Sequence, residues 1–308
     1  YLGMEGMHGH YASSIAQNEA DLIVTAGCRF SDRGTGNTAK YAKHAKIIHI
    51  DIDASELNKN ITVELGIAGS MKQILAELTA MVPQQQHPEW DARIQELVAI
   101  TKELEAQKDD ELTPFTALDA VAEAAKNAND DVIVATDVGQ HQMWTAQYYK
   151  FRKPRTFITS GGLGTMGFGL GGAIGACMAS GKQTVLITSD GSFGMNLNEL
   201  ATAVSQNLPL VIVIMNNKRL GMIRQWQTRF YGNRFMATIP DRKTDFVKLA
   251  EAFGAYGMRA ENEADLESAV KKAFELKSTV VIECLTDSNA DVLPMIPPNG
   301  SADNIMLQ

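Results

Sequence analysis

The stretch TVLITSDGSFGMNLNELATAVSQNLPLVIVIMNN, residues 184 to 217, decides the fold. An apolar run ends on Asp190-Gly191, a helix-like segment follows, and a second apolar run ends on Asn216-Asn217. Two buried strands joined by a helix are the signature of a parallel sheet covered on both faces. Both strands then point the same way, so their C-terminal ends share the sheet edge where ligands of open α/β sheets bind. Asp190 and Asn217 are therefore expected near each other, one carboxylate and one amide oxygen. Gly191 and Ser192 follow at a helix start, where free N–H groups suit a phosphate. A hard cation such as Mg²⁺, held by few protein oxygens and completed by a diphosphate, matches that set. Asp-Gly is also a common turn and Asn-Asn a common strand terminator, so the stretch alone leaves both readings open.

The same alternation continues outward. From about residue 113 to 293, TALDAVAEAAKN reads as a helix and DVIVATDVG as a strand, and TFITS and TVVIECLTD add further strands. Residues 1 to 84 also read as α/β. YASSIAQNEA looks helical, DLIVTAG and KIIHIDID look like buried strands, and MKQILAELTAMV is an amphipathic helix. Three or so strands make a thin sheet with an edge left open. Residues 85 to 112 are polar and then charged, a connector containing one helix, and residues 294 to 308 form a Pro-rich tail. The expected class is α/β: a parallel-sheet domain preceded by a partial α/β domain.

The chain has 308 residues, which argues for about two domains at roughly 150 residues each. A formal charge of −8 argues against nucleic-acid or anionic-membrane partners. No apolar run reaches the roughly 20 residues that span a bilayer, and no signal peptide is visible. Cys28, Cys177 and Cys284 are far apart, which fits a reducing, cytoplasmic setting with inert cysteines. The chain opens on Tyr1 rather than Met, so it is expected to be a piece of something longer.

Asp-Gly, some two dozen residues, then Asn-Asn resembles the motif of thiamine-diphosphate enzymes, although Ser189 stands where the motif usually has its first glycine. LGMIRQWQTRFY (220 to 231), VGQHQMWTAQYY (138 to 149) and TSGGLGTMGFGL (159 to 170) narrow the resemblance to the acetolactate synthase (acetohydroxyacid synthase) catalytic subunit. GMHGHYA, AGCRFSDRGTGN and HIDID resemble the flavin-domain signatures of the same family.

That resemblance implies a set of roles. Asp190, Asn217 and the main-chain carbonyl of Arg219 would hold Mg²⁺. Gly139, Gln140, His141, Gly191, Ser192, Gly221 and Met222 would line the thiamine diphosphate, and the Gly164 carbonyl would meet its amino group. Met166 would wedge under the cofactor and bend it, and Trp226 would line the pocket for the second keto acid. The resemblance leaves FAD binding open. Met7, His8, Gly9, Gly27, Arg29, Arg33, Asp51 and Asp53 match positions lining that site, with Gln142 and Met143 approaching from the second domain. Two of the family's acids are replaced by Ser31 and Ser70. His8 and His10, with no third ligand nearby in sequence, read as loop residues rather than metal ligands.

The family's reaction is decarboxylating condensation of pyruvate with pyruvate or 2-ketobutyrate, in branched-chain amino-acid synthesis. Its enzymes are homodimers or tetramers, and the resemblance leaves room for a small regulatory subunit. The glutamate that activates the cofactor comes from an amino-terminal pyrimidine-binding domain that no segment here resembles. The chain is thus expected to be a carboxy-terminal portion, inactive alone. Alternatives are another carboligase such as glyoxylate carboligase, or a non-catalytic assembly module. GLGTMG (162 to 167) also fits G-x-G-x-x-G, a nicotinamide signature. It is set aside because that motif normally opens a helix directly, whereas FGLGGAIG stays glycine-rich, with Gly171-Gly172 expected to add flexibility.

Overall fold

The computed structural model describes residues 1–105, 112–128, 131–240 and 242–307. Residues 106–111 of the expected connector lie outside the described residues, as do 129–130, 241 and 308. The chain divides into two units, Tyr1–Lys108 with Leu293–Gln308, and Asp109–Val292. Among the described residues no helix is long and apolar enough to cross a membrane.

In the first unit β1 (Leu22–Ala26), β2 (Lys46–Asp51) and β3 (Leu65–Ala68) form a parallel sheet in that order. Runs rich in Ile and Val make β1 and β2 strands by their fit to a pleated surface. β3, with the sequence LGIA, is too short to announce itself and is fixed by pairing, Ile50 opposite Ile67. Helices α1 (Tyr11–Glu19), α2 (Asp32–Thr35), α3 (Met71–Met81) and α4 (Pro88–Glu105) complete the unit. α4, from the expected connector, packs on α1 through Leu97 against Ala12 and Ala16. Arg93 on α4 closes the same contact with a forked bond to Glu19, 2.6 and 2.9 Å. The expected tail folds into this unit as well. The N–H of Ile296 donates to the Met7 carbonyl at 2.8 Å, and that of Asn37 to the Gly300 carbonyl at 2.9 Å. Leu22, Val24 and Leu65 stay exposed on one face of the sheet.

The second unit runs α5 (Pro114–Asn127), β4 (Ile133–Thr136), α6 (Gln140–Tyr148), β5 (Phe157–Ile158), α7 (Phe168–Ser180), β6 (Thr184–Ser189) and α8 (Asp190–Phe193). It continues through α9 (Leu200–Ser205), β7 (Leu210–Asn216), α10 (Gly221–Phe230), α11 (Phe246–Phe253), β8 (Tyr256–Ala260), α12 (Glu263–Leu276) and β9 (Val280–Leu285). All six strands are parallel, in the order β5-β4-β6-β7-β9-β8. Val185, Ile187, Val211 and Val213 face a core shared with Leu118, Val121 and Val270 of α5 and α12. Leu186, Ile212 and Ile214 face the opposite core with Leu170, Ile174 and Phe246 of α7 and α11. Both faces are covered, which is why these strands read as unbroken apolar runs. The fold class is thus the one expected, α/β with parallel sheets. β8, with the sequence YGMRA, was not legible: it is a half-exposed edge strand that its neighbour β9 holds in register.

One expectation is overturned. GLGTMG runs straight into α7, and Gly171-Gly172 lie inside that helix rather than in a loose segment. Gly169 serves packing: a Cβ there would lie 2.8 Å from Asp137 Cβ and 2.8 Å from Leu186 Cδ1.

The strand order also locates the crevice. The connection from β4 leads outward to β5, and that from β6 leads the other way to β7. Between the carboxyl ends of β4 and β6 the chain reverses direction across the sheet, the place where open α/β sheets bind ligands.

Candidate cofactor-binding site

Asp137, buried just past the end of β4, organises one wall of this crevice. Its Oδ1 accepts the N–H groups of Val138 at 2.9 Å and Gly167 at 2.8 Å, tying β4 to the start of α7. Burial pushes its carboxyl above the usual range, against the pull of these N–H groups. Ser192 Oγ donates to the Val138 carbonyl at 2.6 Å, which locks α8 to the same turn.

α6 starts from this turn, with Gly139 at φ 153° and a virtual Cβ 2.8 Å from the His141 ring. His141 is buried, and desolvation pushes its pKa down to about 3, so the imidazole is neutral at pH 7. Its ring donates to the Asp137 carbonyl, while Nε2 has no partner among the described residues, which puts the proton on Nδ1. Gln140 Nε2 donates to Gln225 Oε1 at 3.0 Å and to the Ala290 carbonyl at 2.8 Å. Gln225, fully buried on α10, also takes the Val292 N–H at 2.8 Å and gives its own N–H to the Val292 carbonyl at 3.1 Å. Both N–H groups of Gln140 are therefore spent on holding α10 and residues 290–292, and its Oε1 faces Asn217 Nδ2 at 3.5 Å.

A cavity of about 240 Å³ opens beside these groups. Its walls bring together Gly139, Gln140, His141, Gly164, Met166, Asn217, Arg219, Gly221 and Met222. Met143, which the resemblance points toward a flavin, lines the same cavity. Gly191 and Gly221 allow close backbone approach. A Cβ at Gly221 would run into Gln140 Oε1, and one at Gly191 would come 2.9 Å from Leu220 Cδ2 and 3.8 Å from Met166 Cε. Trp226 lies one turn beyond Met222 on α10, edge-on to Phe230 at 5.4 Å between ring centres, outside the cavity lining. The Ser192 hydroxyl proton is committed to Val138, and its N–H reaches Ser189 Oγ at 3.4 Å.

Asp190 is 3% exposed, and burial raises its carboxyl to about 6. Among the described residues its Oδ1 has no partner, and its main-chain carbonyl accepts Arg242 Nη1 at 2.7 Å. Asn217 Oδ1 accepts the Arg219 N–H at 3.0 Å, which closes a short turn. Strands β6 and β7 pair with Ser189 opposite Met215, so Asp190 and Asn217 do leave adjacent strand ends. They open on different cavities, however. Asp190 lines a second space of about 310 Å³ with Asn216, Lys218, Arg242, Arg259 and Glu283, while Asn217 and Arg219 line the first. The residues fit a divalent ion with a diphosphate in their chemistry: a buried carboxylate oxygen without a partner, an amide oxygen with one lone pair left, and a glycine-walled cradle. Among the described residues no group of three or more His, Cys, Asp or Glu is gathered to hold a metal.

The flavin candidates fall in two groups within the first unit. Met7, His8 and Gly9 form a buried loop pinned to Arg33, whose carbonyl accepts the Met7 N–H at 2.7 Å. Burial, and then the nearby Arg33 charge, push His8 down to about 4. Gly27 and Asp51 adjoin at the carboxyl edge of the sheet, where the Gly27 N–H meets the Ile50 carbonyl at 2.9 Å. Asp51 Oδ1 accepts the Asp53 N–H at 2.9 Å, and the exposed Arg29 gives its carbonyl to Asn60 at 2.9 Å. Ser31 and Ser70 precede α2 and α3, and neither side chain caps its helix. Gln142, in the second unit, gives its amide to Thr159 Oγ1 at 2.7 Å.

Asp137, Gln225 and Glu283 were missed in the sequence. Glu283 alone carried a signal, being a charge inside the apolar run TVVIECL, where burial requires a partner.

Two family models match this chain. Residues 1–78 match "Thiamine pyrophosphate enzyme, central domain", and residues 137–284 match "Thiamine pyrophosphate enzyme, C-terminal TPP binding domain". The chain belongs to the thiamine pyrophosphate enzymes. Within that class its similarity is to acetolactate synthases. It is 39% identical to a probable acetolactate synthase large subunit of Methanocaldococcus jannaschii, over 99% of this chain and 53% of the relative. It is 37% identical to the isozyme 3 large subunit of Escherichia coli, over 99% of this chain and 55% of that protein. The mitochondrial catalytic subunit of Saccharomyces cerevisiae is 37% identical, over 99% and 46%. The chain therefore spans about half the length of the curated relatives it matches. With the helix-opening objection to a nicotinamide site gone, the family match is what sets that reading aside.

Proposed function

We propose that this chain carries the metal- and diphosphate-binding half of an acetolactate synthase. The reaction is decarboxylating condensation of pyruvate with pyruvate or 2-ketobutyrate, in the cytoplasmic synthesis of branched-chain amino acids. One observation carries the reading: Asp190 keeps a buried carboxylate oxygen, without a partner among the described residues, on the strand end next to the Asn217 turn. Similarity to acetolactate synthases over 99% of the chain supports it. Thiamine diphosphate, when bound, supplies carbanion stabilisation.

In this reading Asp190, the Asn217 amide oxygen and the Arg219 carbonyl hold Mg²⁺. Gly191 and Gly221 let the backbone approach the diphosphate, and His141 meets it once Nε2 is protonated. Met166 and Met222 form the apolar support, and Trp226 selects the second keto acid. FAD in the first unit, assembly as a homodimer or tetramer, and a small regulatory subunit belong to the same proposal. So does a division into residues 1–84, a connector at 85–112, a cofactor domain at 113–293 and a tail at 294–308. A cofactor held at one end only is poorly oriented, so the 308 residues alone are expected to turn over negligibly.

Calorimetric titration with thiamine diphosphate, with and without Mg²⁺, tests the site. Metal-dependent heat that Asp190→Ala abolishes supports it, and heat indifferent to the metal overturns it.

A further inference from the structure

The adjoining side chains Asn216 and Asn217 point to different tasks. Asn217 lines the 240 Å³ cavity, whereas Asn216 is buried and turned to the next strand. Its Nδ2 donates to Glu283 Oε1 on β9 at 2.7 Å, a charge-assisted bond wholly inside the protein. The other oxygen, Glu283 Oε2, accepts Arg259 Nε at 3.0 Å and Nη2 at 2.8 Å. Arg259 in turn reaches Asp245 Oδ1 at 3.1 Å, the same oxygen that caps α11 by accepting the Val247 and Lys248 N–H groups. At the other end of the chain of bonds, Asn216 Oδ1 accepts the Lys218 N–H at 3.2 Å. That bond closes a turn in which Lys218 has φ +55°, a conformation non-glycine residues adopt only when held there. The next step of the same turn is the Asn217 bond to the Arg219 N–H.

We infer that Glu283, fixed by Arg259 and Asp245, is the positioning residue for the Asn217–Arg219 turn. It acts through Asn216 and touches no ligand itself. The inference rests on the reading of that turn as a metal-binding segment. Outer partners of metal ligands typically contribute on the order of 10- to 100-fold in metal affinity.

The test titrates Mg²⁺ into the full 308-residue chain with thiamine diphosphate in excess, alongside thermal melts. Glu283→Gln puts an amide where Asn216 and Arg259 both need an acceptor. It should raise the half-saturating Mg²⁺ on the order of tenfold or more, while metal-free cofactor binding stays as in the parent. The swapped pair Asn216→Asp with Glu283→Gln satisfies every bond again with donor and acceptor exchanged, and should restore the parent's metal response. A folded swapped pair that stays impaired overturns the inference, as does a Glu283→Gln chain with unchanged metal response. If the unsubstituted chain shows no metal-dependent uptake, the metal reading falls and takes this inference with it.

Discussion

His141 shows how one buried atom can couple binding to protons. Its neutral ring offers a lone pair at Nε2, whereas a diphosphate oxygen requires a donor there. Diphosphate binding is therefore expected to take up a proton near neutral pH. Calorimetry in buffers of unequal ionisation heat measures that uptake, and His141→Gln should abolish it. The same group makes stability pH-dependent. Its pKa is 6.5 in the unfolded chain and about 3 when folded. Between those values the unfolded chain binds a proton that the folded chain refuses, so stability falls as pH drops from about 6.5 toward 3. Denaturation midpoints across that window should lose this slope in His141→Gln. Motif reading found His141 and Gln140 but not their different fates. Whether an amide faces a ligand or a second glutamine depends on where α10 packs, and Gln225 lies 85 residues away from Gln140.

Within α7, glycines that look alike in sequence have opposite uses. A Cβ on Gly175 meets nothing within 4 Å among the described residues, so Gly175→Ala should stabilise the chain by about 0.5–1 kcal/mol by restricting the unfolded state. Gly169→Ala drives a methyl into Asp137 and Leu186, and should cost about 1–3 kcal/mol. Thermal melts of the two variants should therefore move in opposite directions. The spacing of glycines reads as loop because glycine is a poor helix former. The helix forms regardless because α7 must lie close against β4 and β6, and only glycine lets it. Strands followed the converse rule. β6 and β7 were legible because they are buried on both faces, whereas β3 and β8 are short or half-exposed and owe their existence to a neighbour's hydrogen bonds.

At the scale of the molecule, the two units are each built on a parallel sheet; the second gathers its candidate residues past the carboxyl ends of strands, whereas the first divides them between that edge and the loop before α1. Acetolactate formation assayed on the pure 308-residue chain, with pyruvate, thiamine diphosphate and Mg²⁺, should be negligible. Robust turnover would remove the proposal that this chain holds only half of a working site. α4 and the last residues, set apart in the sequence by charge and proline, pack with the first unit: Leu97 of α4 meets Ala12 and Ala16, and the Ile296 N–H bonds the Met7 carbonyl.

Unbroken apolar runs by themselves determined the parallel α/β architecture of the second unit, whose central strands are covered on both faces, although β1, a similar run, keeps Leu22 and Val24 exposed. The long sequence blocks around Asp190, His141 and Met222 likewise determined the family, because each is many residues in a fixed order. Tertiary packing alone decided which oxygens remain open. Among the described residues, packing leaves Asp190 Oδ1 and His141 Nε2 without partners while supplying them to Asn216 and Gln140, and no residue type carries that distinction in its own chemistry.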